Sequence, residues 1–288
     1  MRTITLYRHG VSMGTPTSKP NKTPPKRGEV QGWSQSATRR NISFLRSVDE
    51  NAIQCTEDGE ELIAVALTLT VRNCPDTHAD WQSIRRAFQK RLERMGLYRS
   101  HWVTEWQRRG VPHLHGAFWF PRTTDPLYYH AVLDEIIGHW LGAAASCGAA
   151  HRGQQALLIF DAVGWFKYLS KHAARGVHHY QRSAENIPEG WQKTGRIWGH
   201  TGPWPLIEPE KRIISDLDYF RMRRLARNWR KADARKSGNR FRIRTARKML
   251  RHNHPEKSKL RGVSEWIPEA TALALLDFAR SQGVKNEH

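Results

Sequence analysis

The sequence predicts an α+β fold: a ferredoxin-like, RRM-like antiparallel sheet with helices packed on it, followed by a basic helical C-terminal region. Three observations carry the prediction. Between residues 59 and 205 the hydrophobic pattern alternates between strand and helix periods in the order βαββαβ. Two of the strand patterns are joined by only three residues, Arg108-Arg109-Gly110, with glycine where a short hairpin loop needs a positive φ. Charge is concentrated beyond that stretch: between Lys211 and Arg261 stand 19 Lys and Arg against 4 Asp and Glu, in a chain of net charge +20.

Each element has its own reason. ELIAVALTLTV (61–71) is a buried β run. WQSIRRAFQKRLERMG (81–96) puts Trp81, Ile84, Phe88, Leu92 and Met95 on one helical stripe and stops at Gly96. HWVTEWQ (101–107) and PHLHGAFWF (112–120) are the two hairpin strands. YYHAVLDEIIGHWLGAAA (128–145) is an amphipathic helix, and QALLIF (155–160) is again a strand. A further helix follows, with Asp161 as its N-cap. Residues 1–58 are expected as a flexible arm with short strands at most, because 11–40 is rich in Pro, Ser, Thr and Lys. The expected division is therefore 1–58, 59–205 and 206–288.

Composition narrows the partners. Hydrophobic content of 39% and charged content of 26% suit a soluble protein, but the net charge of +20 calls for a polyanion, nucleic acid before an anionic membrane. In the basic region Phe220, Trp229 and Phe241 are interleaved with arginines, which suits tracking of a phosphate backbone rather than a merely solvated face. The three cysteines, Cys55, Cys74 and Cys147, are far apart and form no C-x-x-C pair, so neither a zinc ribbon nor a disulfide framework is expected. MRTITLYRHG has no apolar signal core, and no run approaches 18 apolar residues. The expectation is a soluble cytoplasmic protein with no membrane partner.

The segment GVPHLHGAFWF (110–120) poses a sharper question, since His113 and His115 interrupt an apolar strand. A structural pair satisfied by neighbours is one answer, and a metal site is the other. Centring the hairpin on Arg109 sets Glu105 opposite His113 and Val103 opposite His115. Opposed residues share a sheet face, as do residues two apart. Glu105, His113 and His115 then cluster on one side, while Leu114, Phe118 and Phe120 turn to the other. Two imidazoles and a carboxylate form a three-ligand set with open positions, provided that the register does not slip by one.

In DAVGWFKYLSKH (161–172), Tyr168 and Lys171 stand three apart and share a helix face. A helical tyrosine is ordinarily a core residue with its hydroxyl at the rim. Beside a metal on a strongly basic chain, its phenolate instead suits attack on a phosphodiester, with Lys171 holding or neutralising a phosphate. Taken together, EWQRRGVPHLHG (105–116) resembles the second motif of the HUH endonucleases of the Rep type, which start rolling-circle replication. There an acidic metal ligand also precedes the first histidine by eight residues. YLSK (168–171) resembles their Y-x-x-K motif, LTLT (67–70) their loosely defined first motif, and GRIWG (195–199) a segment that phage and plasmid Rep proteins carry after the tyrosine helix.

The resemblance implies a HUH endonuclease fold over roughly 60–205. It implies a divalent metal, Mg²⁺ or Mn²⁺, on Glu105, His113 and His115, and Tyr168 as nucleophile assisted by Lys171. The product would be a 5′-phosphotyrosine and a free 3′-OH, made on single-stranded or hairpin origin DNA of a phage or plasmid. No Walker A loop occurs, so a helicase and polymerase of a bacterial host cell are the implied partners. Transposases and mobilisation relaxases share this chemistry and stay open as alternatives. A non-catalytic RRM-like binder is a further alternative, although 61–71 holds no aromatic and the RNP1 pattern is absent. His252 and His254 in RHNHP make only a minimal HNH-like motif, and His178-His179 read as loop. Tyr128 and Tyr129 have no lysine three or four residues on.

Overall fold

The computed structural model describes residues 2–14, 32–122, 126–174, 181–251 and 263–284. The chain opens on a hairpin of β1 (Arg2–Tyr7) and β2 (Gly10–Gly14), followed by α1 (Gln35–Arg46). Next come β3 (Leu62–Thr70), α2 (His78–Arg94), β4 (Arg99–Trp106), β5 (Pro112–Pro121) and α3 (Pro126–Ala143). They are followed by β6 (Gln155–Ile159), α4 (Ala162–Ala174) and β7 (Trp198–Thr201). The remainder comprises β8 (Glu210–Ile214), α5 (Asp216–Lys236), α6 (Arg240–Arg251), β9 (Val263–Glu265) and α7 (Glu269–Val284). These elements fall into two compact units, one of residues 26–45 and 49–205, the other of 1–25, 46–48 and 206–288.

The larger unit is an antiparallel sheet in the order β6-β3-β5-β4-β7. Its first four strands have the ferredoxin-like arrangement, and β7, which carries the end of GRIWG, adds a fifth beside β4. One face is the main core, where Leu114, Phe118 and Phe120 of β5 meet Trp81 and Phe88 of α2 and Ile136 and Trp140 of α3. Helix α2 starts where it does because Thr77 and Asp80 close a capping box: Thr77 Oγ1 accepts from the Asp80 N–H, and the Asp80 carboxylate accepts from the Thr77 N–H. Asp161 likewise caps α4, its Oδ1 accepting the Gly164 N–H at 2.8 Å. At Gly116 a Cβ would lie 2.6 Å from the His101 carbonyl oxygen and from the Phe118 ring, so only glycine lets β4, β5 and that ring close up.

Of the expected arm with short strands, residues 2–14 form part of the smaller unit. Strands β1 and β2 belong to a second antiparallel sheet, ordered β8-β1-β2-β9. The cause is alternation: Ile4 and Leu6 of β1 and Val11 and Met13 of β2 bury against Tyr219, Met222 and Ala226 of α5 and Leu276 of α7. The C-terminal region is accordingly not purely helical, because β8 and β9 flank that hairpin. Most of the Pro-rich segment, 15–31, lies outside the described residues, as do His252, His254, His178 and His179.

Candidate active site

The three-residue loop sets the register that brings the site together. Gly110 has φ 76°, the Gly110 N–H bonds to the Gln107 carbonyl, and the Gln107 N–H bonds to the Val111 carbonyl. From there Glu105 pairs with His113 and Val103 with His115. On the other side of β5, Thr70 pairs with His113 and Thr68 with His115. LTLT thus supplies two hydroxyls to the histidine face. Glu105 and His115 are buried and His113 is half-buried. The two imidazoles stack with centroids 4.3 Å apart, and His115 Nε2 lies 3.9 Å from Glu105 Oε2.

Both rings are oriented through Nδ1. His115 Nδ1 lies 3.0 Å from Thr68 Oγ1, and Gln107 donates its side-chain amide to His113 Nδ1 at 3.0 Å. Gln107 Oε1 in turn accepts from Arg109 Nε at 2.7 Å, and Arg109 also donates to the Arg72 and Val71 carbonyls, tying the loop to the end of β3. Glu105 Oε1 accepts from both Nε (3.1 Å) and Nη2 (3.0 Å) of Arg182, a fully buried side chain. Burial pushes the Arg182 guanidinium below its ordinary value, and Glu105 draws it back up. The guanidinium carbon also lies over the Trp33 ring, 3.9 Å from the ring centroid.

The donor set fits a divalent cation in kind. Two imidazoles and a carboxylate are ordinary ligands for such ions, and 3.9 Å between His115 Nε2 and Glu105 Oε2 can be spanned by an ion about 2.1 Å from each. The three side chains do not close on one point by themselves: among the described residues no group of three or more His, Cys, Asp or Glu is arranged as a ligand set. Coordination through His113 Nε2 would need the Gln107 amide to turn over and accept from an Nδ1–H, the usual outer partner of a ligating imidazole.

Helix α4 packs on the same face as the histidines. Its Phe166 meets Trp119 at 6.2 Å, and Trp119 shares the parity of His113 and His115 on β5. Tyr168 lies on this helix with 42% of its surface exposed, stacked on Trp165 at 5.2 Å. Lys171 belongs to α4 as well, but its side chain is outside the described residues, as are those of Tyr128 and Tyr129 on α3. Sequence reasoning missed Arg182, Trp33, Gln107 and Arg109. Arg182 and Trp33 reach the site from distant segments and carry no local signal, whereas Gln107 was readable as the residue paired with Val111 at the loop.

Farther along the face, His101 is fully buried, stacks on Phe44 at 5.8 Å and bonds through Nε2 to Asn41 Oδ1 at 2.7 Å. Burial, with a small push from His200, lowers its pKa to about 3, so this imidazole is neutral.

Comparison with known proteins gives the family. The family model for replication-associated proteins of the ORF2 and gene-2-protein type matches residues 64–174, which hold Glu105, His113, His115 and α4. The chain is 50% identical over 287 residues to the replication-associated gene-2 protein of Pseudomonas phage Pf3, covering 98% of this chain and 99% of that one. It is also 50% identical over 281 residues to a protein of Xylella fastidiosa (strain 9a5c) with a provisional replication-protein name, covering 95% of each. No solved structure matches. The chain belongs to this family of phage-type replication-associated proteins.

Proposed function

We propose that the protein initiates rolling-circle replication of a phage or plasmid by nicking and rejoining single-stranded origin DNA. The observation that carries this reading is one sheet face bearing Glu105, His113 and His115 with the tyrosine helix packed upon it. Glu105, His113 and His115 would hold Mg²⁺ or Mn²⁺, which when bound supplies Lewis-acid polarisation of the scissile phosphate. Tyr168 gives up its phenolic proton to solvent and attacks the phosphorus with the phenolate oxygen; the 3′ oxygen leaves and takes up a proton from solvent, giving a 5′-phosphotyrosine and a 3′-OH. Attack by a 3′-OH on the phosphotyrosine reverses the step and rejoins strands. Lys171, three residues further along α4, would neutralise charge in this step. The exposure of Tyr168 suits a nucleophile that must meet a DNA strand. Among the described residues no helix is long and apolar enough to cross a membrane.

The test is cleavage of short single-stranded oligonucleotides drawn from the replicon's origin, with and without chelator. EDTA, His113→Ala and His115→Ala are each expected to suppress cleavage at least 100-fold, and Glu105→Ala to impair it less because two imidazoles remain. Full activity in EDTA would reject the metal reading.

A further inference from the structure

Glu105 is 1% exposed, and a carboxylate so buried is costly unless a cation compensates it. Arg182 does so through one oxygen alone. Both of its hydrogen bonds end on Oε1, and Oε2 is turned toward His115 Nε2. The guanidinium is held from several sides: Trp33 covers it, the Trp33 indole N–H is anchored on the Thr104 carbonyl at 2.8 Å, and the neighbouring Gln181 carbonyl accepts from the Trp106 N–H at 2.9 Å. Its third nitrogen, Nη1, is buried without a hydrogen-bond partner among the described residues. A buried pair kept for stability alone does better with every donor satisfied.

We propose that Arg182 is a positioning and charge-balancing residue that makes divalent-cation binding at this site depend on a bound phosphodiester. The inference rests on the metal reading above. Ligating imidazoles are neutral, so Glu105 and Arg182 bring the site to a net charge near zero before any cation enters. A 2+ ion added to so buried a place is left with excess positive charge, and the backbone of the DNA strand supplies the missing negative charge. Cation and strand therefore bind cooperatively, each tightening the other by the same factor.

The test is Mn²⁺ binding followed by electron paramagnetic resonance on the full chain, in a Tyr168→Phe background so that no covalent step intervenes. Titrations are run with and without a single-stranded origin oligonucleotide, and thermal unfolding is followed in parallel. With Arg182 present, Mn²⁺ is expected to bind weakly alone and at least about fivefold more tightly with the oligonucleotide. Arg182→Gln should melt lower without metal, bind Mn²⁺ more tightly in the absence of DNA, and lose most of the coupling. Arg182→Lys, which keeps the charge, should retain coupling. A folded Arg182→Gln chain with unchanged Mn²⁺ affinity and unchanged coupling overturns the proposal and leaves Arg182 a structural residue. Should Arg182→Gln not fold, equal Mn²⁺ affinity with and without oligonucleotide in the Arg182-containing chain overturns it just as well. Absence of Mn²⁺ binding under every condition rejects the metal reading itself.

Discussion

Glu105 and His101 sit four positions apart on β4, both buried, and meet burial in opposite ways. Glu105 keeps a cation beside it, whereas His101 gives up its charge, its pKa falling to about 3. Around His101 stand Asn41 and Phe44 of α1, and His200 and Trp198 of β7. Burial, with a push from Arg196, also lowers the His200 pKa. Because the folded-state pKa of His101 lies below the unfolded value of 6.5, its contribution to stability is complete above about pH 6.5 and is lost as pH falls toward 3. The expected loss approaches ~1.4 kcal/mol per pH unit from this residue. Urea denaturation at pH 7.5 and pH 5.5 measures it, and His101→Gln should flatten the difference. An equally steep loss in that variant would assign the acid sensitivity elsewhere. At this scale the sequence was partly legible. H-x-H and the glutamate eight residues earlier were visible because hairpin register follows from a three-residue loop. The guanidinium that balances Glu105 was not, because Arg182 is 77 residues away in sequence.

Among the elements, the β4–β5 hairpin ties core to site, since its even positions on β5 face α2 and α3 and its odd positions bear the histidines. Gly116 is where this arrangement is tightest. Gly116→Ala brings a methyl to 2.6 Å from the His101 carbonyl oxygen, so β4 and β5 must part. Overpacking of this kind costs ~1–3 kcal/mol, readable as a lowered urea midpoint. Misalignment of Glu105 with His113 should lower cleavage beyond what the stability loss explains; a variant with wild-type midpoint and activity would show that the strands tolerate a side chain there. Strands and helices of the larger unit were readable because period and caps agree, as at Thr77 and Asp161. β1 and β2 were not, because their partners β8 and β9 lie at the far end of the chain and a short hairpin shows little of its own pattern.

On the scale of the whole molecule, the charge sits where the sequence placed it, but on a mixed α/β unit that also holds the N-terminus. A chain cut near Gly202 would strand β1 and β2 without β8, so charge rather than length is the quantity to vary. Lys211, Arg224, Arg235 and Lys236 are all exposed, and Phe220 and Phe241 are exposed among the arginines. Replacing those four cations with glutamine should weaken duplex binding and flatten the slope of log K against log salt by roughly 3 to 4 units. An unchanged slope would mean that this surface does not contact phosphates. The central claim is the nucleophile on a metal-bearing sheet. It is tested most directly by incubating the intact chain with single-stranded origin oligonucleotides and Mg²⁺ or Mn²⁺, then locating the covalent adduct by mass spectrometry of its peptides. The account predicts a 5′-linked nucleotide on Tyr168, lost in Tyr168→Phe while DNA binding stays nearly intact. An adduct on another residue, or one undiminished by Tyr168→Phe, would contradict it.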